Sequence, residues 1–494
     1  MLITPLSTTI SVYSSGNVPL TEDITGLKDV FHPQSAEGCF SFGGVNFAVF
    51  GELKQFFVWG ELGCGANVHL PILTEEKAPY VSQGCLDRDN LIRLIEKLRA
   101  VRNNNKTDGV SPERPLAFTR LYLDVSLECN LKCKYCYVAR QRQGFQRLMT
   151  AETARATVNW LVRQRLPGIP LDIRFFGGEP LINLPVIHDL ICFCDELSDN
   201  QDVDFRFFLS TNGILIDDAC ARFLADKRFS VKVSLDGDEV LHNQQRVYPH
   251  GAGSYCDTLR GIQNLQKYGL QPTLSVTSYN LSFQDVKRIA QSIAALGDFD
   301  IQWQTVSSVA FSYPASHSSD VDAEYEAIAR DCWQAILCGD DTRLSFFASG
   351  IRKLADNAFD WRGCGAGFDS IMVSPDGSFH LCQRFLGLDD FVFGNVASEC
   401  ETERLQSLIN KVLNQYHRQC KDCWLKYLCA KGCYYSNYLD SGNIATVKQS
   451  TCNTTRAYFK AVIWLSYMMA LHLPNNLQQL IYSSTFMNSG NDSK

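Results

Sequence analysis

The stretch Leu121-Tyr-Leu-Asp-Val-Ser-Leu-Glu-Cys129-Asn-Leu-Lys-Cys133-Lys-Tyr135-Cys136-Tyr137 runs from an apolar segment straight into three cysteines. Leu121 to Ser126 has the length and apolar content of a buried strand. Three thiolates at CxxxCxxC spacing on the following loop can hold three irons of a [4Fe–4S] cube. Ordinary cubes take four cysteines. Three leave one iron open, and the amine and carboxylate of an amino acid could chelate it. A zinc site is the alternative, but structural zinc takes four protein ligands and this loop has no histidine to complete the set.

Outward from that loop, apolar segments alternate with helical ones. Leu171–Phe176, Asp204–Ser210, Phe229–Leu235, Pro272–Thr277 and Asp300–Val306 read as further strands. Stretches such as ETARATVNWLVRQ and SYCDTLRGIQNLQKYG fill the gaps with helical periodicity. Six strands alternating with helices predict an α/β fold with a parallel sheet, curved or closed. Barrels of this kind place their chemistry at the C-terminal ends of the strands. Cys129, Gly177, Asn212 and Asp236 all fall there.

The loop resembles the CxxxCxφC signature of the radical S-adenosylmethionine (SAM) superfamily, with Tyr135 as the aromatic φ. Gly177-Gly178-Glu179-Pro180 resembles that family's GGEP motif. Ser210-Thr-Asn212-Gly and Ser234-Leu-Asp236-Gly match two further strand-end motifs, and Arg246 matches an arginine that follows them. The resemblance implies a partial (β/α)6 TIM-like barrel. It also implies a cluster on Cys129, Cys133 and Cys136 that cleaves SAM to methionine and a 5′-deoxyadenosyl radical. Tyr135, Gly177, Gly178, Glu179, Ser210, Asn212, Ser234, Asp236 and Arg246 are then the expected SAM contacts. Glu179 is assigned to the amino group, and Arg246 to the carboxylate.

Downstream, Cys364, Cys382, Cys420, Cys423, Cys429, Cys433 and Cys452 are spaced as in the SPASM domain, which holds auxiliary [4Fe–4S] clusters in relatives that modify peptides. The resemblance gives Cys364, Cys382 and Cys433 to a nearer cluster. It gives Cys420, Cys423, Cys429 and Cys452 to a farther one. Some relatives carry a fourth cysteine where this chain has Ser370. An open iron, Asp369, or an outside thiol such as Cys400 remain alternatives for that position. CxxC pairs also suit zinc.

Sulfatase-oxidising relatives use an aspartate after the second of these cysteines as a base. Here it is Gln383, which takes no proton at neutral pH. Cys382-Gln-Arg-Phe-Leu-Gly is more similar to the form found in peptide-crosslinking maturases. The expected function is installation of a C–C, ether or thioether crosslink on a ribosomally made precursor peptide. Epimerisation, sulfatase-type oxidation and a non-catalytic iron–sulfur or zinc-binding role stand as alternatives. Expected partners are a precursor peptide with its leader and an electron donor such as flavodoxin or ferredoxin.

The bulk properties agree. At 494 residues, with 45% hydrophobic and 20% charged residues, the chain has material for a large core and more than one domain. A net charge of −7, with no basic stripe, argues against nucleic acid. The first twenty residues lack the basic start and apolar run of a secretory signal. Ala461–Pro474, the most apolar segment, is too short for a bilayer, so we expect no membrane contact and a cytoplasmic protein. In that compartment 20 cysteines are not a disulfide framework. The expected division is a small α+β N-terminal domain (1–115) able to recognise a leader, the barrel (116–345), an iron–sulfur domain (346–475) and a polar tail (476–494). Within the first, glycine-punctuated strands are expected over Phe40–Leu62, a helix over Asp87–Val101 and a linker over Asn103–Pro115.

Overall fold

The computed structural model describes residues 38–42, 45–50, 55–59, 68–70 and 82–83. It then describes 116–473, with interruptions at 139–145, 279–282, 306–320, 341–343, 356–363, 422 and 427, together with 476 and 480. The first group forms an antiparallel five-stranded sheet. Its strands are β1 (Gly38–Phe42), β2 (Val45–Phe50), β3 (Gln55–Trp59), β4 (Val68–Leu70) and β5 (Ser82–Gln83), in that spatial order. The helix expected over 87–101 and the linker after it lie outside the described residues.

All six strands expected between 120 and 306 form. They are β6 (Arg120–Ser126), β7 (Leu171–Gly177), β8 (Phe205–Thr211), β9 (Ser230–Ser234), β10 (Thr273–Ser278) and β11 (Ile301–Thr305). Each pairs with the next in parallel, and β6 does not close onto β11, so the barrel is partial. Between them run α1 (Ala151–Arg163), α2 (Leu184–Gln201), α3 (Asp218–Asp226), α4 (Glu239–Gln245), α5 (Tyr255–Lys267) and α6 (Phe283–Ala294).

Side chains alternate faces along a strand, and this sorts the sheet. Leu121, Leu123, Val125, Leu171, Ile173, Phe175, Val231 and Val233 enter the large core under the helices. Tyr122 packs instead with Cys136, Tyr137, Leu127, Val138, Met372 and Leu386 on the inner side. Helix starts are fixed locally: Thr150 Oγ1 accepts from Thr153 N at 3.1 Å and Asp217 Oδ1 from Cys220 N at 2.8 Å, satisfying donors that a helix start leaves open.

After α7 (Val321–Leu337) and α8 (Ser345–Ala355), the cysteine-rich part adds β12 (Ser370–Val373), β13 (Ser378–His380), β14 (Val392–Asn395) and β15 (Glu399–Cys400). These are not a separate sheet. β12 pairs in parallel with β6, Ser370 facing Arg120 and Val373 facing Leu123, so one ten-stranded sheet runs from β11 to β15. Helices α9 (Thr402–Gln419), α10 (Tyr434–Ser441) and α11 (Gln449–His472) follow. The apolar segment from Ala461 is the buried half of α11, packed with α7 and α8 in a second core. Among the described residues no helix is long and apolar enough to cross a membrane.

Candidate active site

The cysteine loop leaves β6 at the C-terminal edge of the sheet and is tied down on two sides. Leu127 N donates to Arg147 O at 2.8 Å. Lys132 N and Lys134 N donate to Val247 O and Gln245 O at 2.7 and 3.0 Å, at the C-terminal end of α4. Cys129, Cys133 and Cys136 are thereby gathered. Burial, and then the charges of Glu179, Cys133 and Cys136, push the Cys129 thiol up to about 12, while burial pushes Cys133 up to about 11. Bare thiolates are disfavoured here, and metal ligation, which requires them, supplies the compensating positive charge. Structural zinc takes four protein ligands, and three thiols without a fourth suit the separate irons of a cube better.

The glycines of the 177–180 motif have a definite task. Gly177 has φ +129°, and a Cβ there would stand 2.2 Å from Ser126 O. Gly178 N donates to Ser126 O and Glu179 N to Glu128 O, at 2.7 and 2.8 Å. The motif therefore zips onto the backbone that leads into Cys129. Glu179 is fully buried. Its Oε1 accepts from Leu181 N and Thr211 Oγ1 at 3.1 and 2.8 Å, and its Oε2 from Asn212 N at 2.8 Å. Burial outweighs these bonds and pushes its pKa up to about 7. A carboxylate has about four acceptor positions. The open one, beside Cys129, fits the ammonium of an amino acid.

Asp236, one of the expected SAM contacts, is held by the protein's own groups. Its Oδ2 accepts from Tyr135 Oη at 2.5 Å and Arg246 Nε at 2.8 Å. Its Oδ1 accepts from Arg246 Nη2 at 3.2 Å and Thr277 N at 2.8 Å. Arg246 also reaches Thr277 Oγ1 at 3.2 Å and lies over the Tyr135 ring. The expected contacts Tyr135, Asp236 and Arg246 thus come together, but on one another, joining the cysteine loop to β10. Asn212 Nδ2 donates to Asn130 Oδ1 at 2.7 Å, inside the same loop. Ser210 and Ser234 stand at the ends of β8 and β9, and Ser210 is in register with Lys232.

Asp124 is a functional candidate that motif matching missed, although a charged residue inside an apolar strand was its visible signal. It is 1% exposed, its Oδ1 has no hydrogen-bond partner, and burial pushes its pKa up to about 8. Tyr137 senses the charges of Asp124, Arg384, Cys382 and Cys136, with the Arg384 guanidinium over its ring. Tyr137 is therefore within electrostatic reach of Asp124 and of one thiol from each set. The sign of the pH effect follows. The Asp124 carboxyl titrates near 4 when unfolded and near 8 when folded, so the folded state is penalised progressively as pH rises from about 4 to about 8. Relative to wild type, the Asp124→Asn variant gains stability across that window, on the order of a few kcal/mol at pH 7.5. Anaerobic melting curves of both proteins from pH 5 to 8.5 check this, and curves that stay parallel refute it.

The downstream thiols also assemble. Cys364, Cys382 and Cys433 influence one another's charge. Cys420, Cys423, Cys429 and Cys452 form a second group. Donors face the second group: Arg456 Nη2 lies 3.6 Å from Cys423 Sγ, and the Lys431 backbone N–H donates to Cys429 Sγ at 3.2 Å. Lys431, 2% exposed, also donates its ammonium to the Cys429 and Lys426 carbonyls.

Residues 124–293 match the Radical SAM superfamily. The chain is 21% identical over 346 residues to the serine-type anaerobic sulfatase-maturating enzyme of Klebsiella aerogenes, covering 68% of this chain and 84% of that one. It is 24% identical over 377 residues to the cysteine-type enzyme of Clostridium novyi, covering 71% and 97%. A solved structure, native anSMEcpe with bound AdoMet, superposes with a TM-score of 0.57 at 21% identity, over 72% of this chain and 99% of that one. Its likeness shows the fold. Residues 124–293 thus form an enzyme domain similar to the radical SAM superfamily, and that match supports SAM and a [4Fe–4S] cluster as its cofactors.

Proposed function

We propose that this enzyme installs a crosslink on a ribosomally made precursor peptide. With cluster and SAM bound, the site supplies a 5′-deoxyadenosyl radical that removes a hydrogen atom from substrate. The chain's own residues do the rest. Cys129, Cys133 and Cys136 hold the cluster. Gly177 and Gly178 fix the loop that carries it. Glu179 receives the SAM ammonium, and the Tyr135–Asp236–Arg246 clamp keeps the loop against β10. The two downstream thiol sets hold auxiliary clusters, and an external flavodoxin or ferredoxin supplies the electron. The antiparallel sheet β1–β5 offers its end strands to an extended leader.

The observation that carries the reading is Tyr137. It is within electrostatic reach of both Cys136 and Cys382, which supports a second redox centre near the radical site, and residue 383 is glutamine. Bond formation after hydrogen abstraction leaves one electron to remove, and a neighbouring cluster can take it. The relatives' names favour a second reading, oxidation of a protein side chain as in sulfatase maturation, which Gln383 disfavours for want of a base.

The test is anaerobic reconstitution with iron and sulfide, then 5′-deoxyadenosine release from SAM under dithionite. We expect about twelve irons per chain, and no release from a Cys129→Ala/Cys133→Ala/Cys136→Ala variant. With a peptide encoded beside the gene, a product two hydrogens lighter and lacking a linear fragmentation series shows the crosslink. An aldehyde-bearing product establishes the second reading, and zinc in place of iron with no release refutes both.

A further inference from the structure

We propose that the Asp369 carboxylate is the fourth protein ligand of the cluster held by Cys364, Cys382 and Cys433. The inference rests on the reading that these thiols hold a cluster. It goes further by closing the iron that three thiols leave open.

Cys364 and Asp369 stand at the two ends of one tight turn. Gly365, with φ +77°, offers its carbonyl to Phe368 N, Asp369 N and Ser370 N at 2.9, 3.1 and 3.4 Å. A Cβ added at Gly365 would lie 2.5 Å from Asp369 Oδ1. The carboxylate therefore sits directly over the residue that follows Cys364, and the two side chains are within electrostatic reach. The Asp369 backbone is also fixed, because its carbonyl accepts from Thr119 N and Arg120 N at 3.0 and 3.1 Å.

The two oxygens of the carboxylate differ. Oδ2 is taken by the Arg120 guanidinium. Oδ1 is buried and accepts no hydrogen bond. Buried carboxylate oxygens are otherwise satisfied, and a hard oxygen donor is a competent iron ligand. Arg120 orients the group while leaving one oxygen for the metal, as outer-shell partners of ligating carboxylates do. The rival thiol is placed elsewhere. Cys400 is on β15, its charged neighbours are Glu399 and Glu401, and none of the three thiols acts on it. A cluster closed by Asp369 passes electrons and does not bind substrate.

The full chain carrying Cys129→Ala/Cys133→Ala/Cys136→Ala removes the SAM-binding cluster, whose open iron would confuse the readout. In that background, reconstituted and reduced, ¹³C-cyanide is the probe for an open iron, read by pulsed EPR. We expect no ¹³C coupling with Asp369 present and a clear coupling in Asp369→Ala. A coupling already present with Asp369 in place overturns the proposal, as does its absence from a fully loaded Asp369→Ala variant. Where Asp369→Ala loses iron or fails to fold, Asp369→Cys decides. Full loading with a lower midpoint potential and altered EPR g-values supports carboxylate ligation, and an unchanged spectrum and potential overturn it. A separate Cys364→Ala/Cys382→Ala/Cys433→Ala variant that loses no iron shows instead that these thiols hold no cluster, the failure of the underlying reading.

Discussion

Gly178→Ala is expected to lower 5′-deoxyadenosine release by about a hundredfold or more. The added Cβ would stand 2.4 Å from Glu128 O and 2.9 Å from both Glu128 C and Leu127 O. All three are backbone atoms, so no side chain can swing aside. Either the 177–180 motif or the loop leading to Cys129 must move, and the bonds from Gly178 N to Ser126 O and Glu179 N to Glu128 O go with it. A displacement of that size next to the cluster-bearing thiol disturbs both iron loading and the alignment of SAM. Gly269→Ala is the control. Its Cβ meets nothing within 4 Å, so only its positive φ is penalised, at roughly 1 kcal/mol. Iron content and release rate, measured for both variants, check the expectation. Equal rates for Gly178→Ala and wild type would show that the motif does not abut the cluster loop.

Arg246→Ala is expected to destabilise the fold by about 3–5 kcal/mol, the usual result of stranding one partner of a buried pair. Asp236 and Arg246 are 3% and 6% exposed, so water cannot replace the lost guanidinium. The carboxylate would keep two of its four partners, Tyr135 Oη and Thr277 N. Its pull on the cysteine loop would weaken with the charge left uncompensated. Arg246→Lys retains the charge but not the two-pronged geometry, so it should fall between. Anaerobic thermal melts of the three proteins give the order. A loss under about 1 kcal/mol for Arg246→Ala, typical of exposed pairs, would mean that the clamp is solvated.

The contrast between these two sites shows what the sequence makes legible. Strand positions were readable because apolar and polar residues alternate along a strand, as FSVKVSL does throughout and LDIRFF does up to Phe175. The cysteine sets were readable because ligand spacing on a loop is written in residue counts. The four-way saturation of Asp236 was not. Asp-Gly after a strand looks the same whether its carboxylate faces a ligand or its own protein, and Thr277 and Arg246 reach it from distant chain positions. The parallel pairing of β12 with β6 was hidden for a related reason. SIMV is a four-residue strand in a cysteine-rich stretch, 250 residues from its partner, and its partner choice lies in tertiary packing rather than in local pattern. Asp369 and Cys400 were equal alternatives by spacing alone, and only their surroundings separate them.

That β12 pairing has a consequence for how the chain can be divided. With β12 on one side and β7 on the other, β6 lies inside the sheet, although it opens the radical SAM fold in sequence. A barrel ending near residue 345 would uncover the edge of β6 from Arg120 to Leu123, where Leu121 and Leu123 are fully buried in the intact protein. Bare apolar edges invite pairing with other chains. The C-terminal part therefore extends the sheet beyond β6 as well as carrying thiols, and truncation near residue 345 is expected to lay that edge bare.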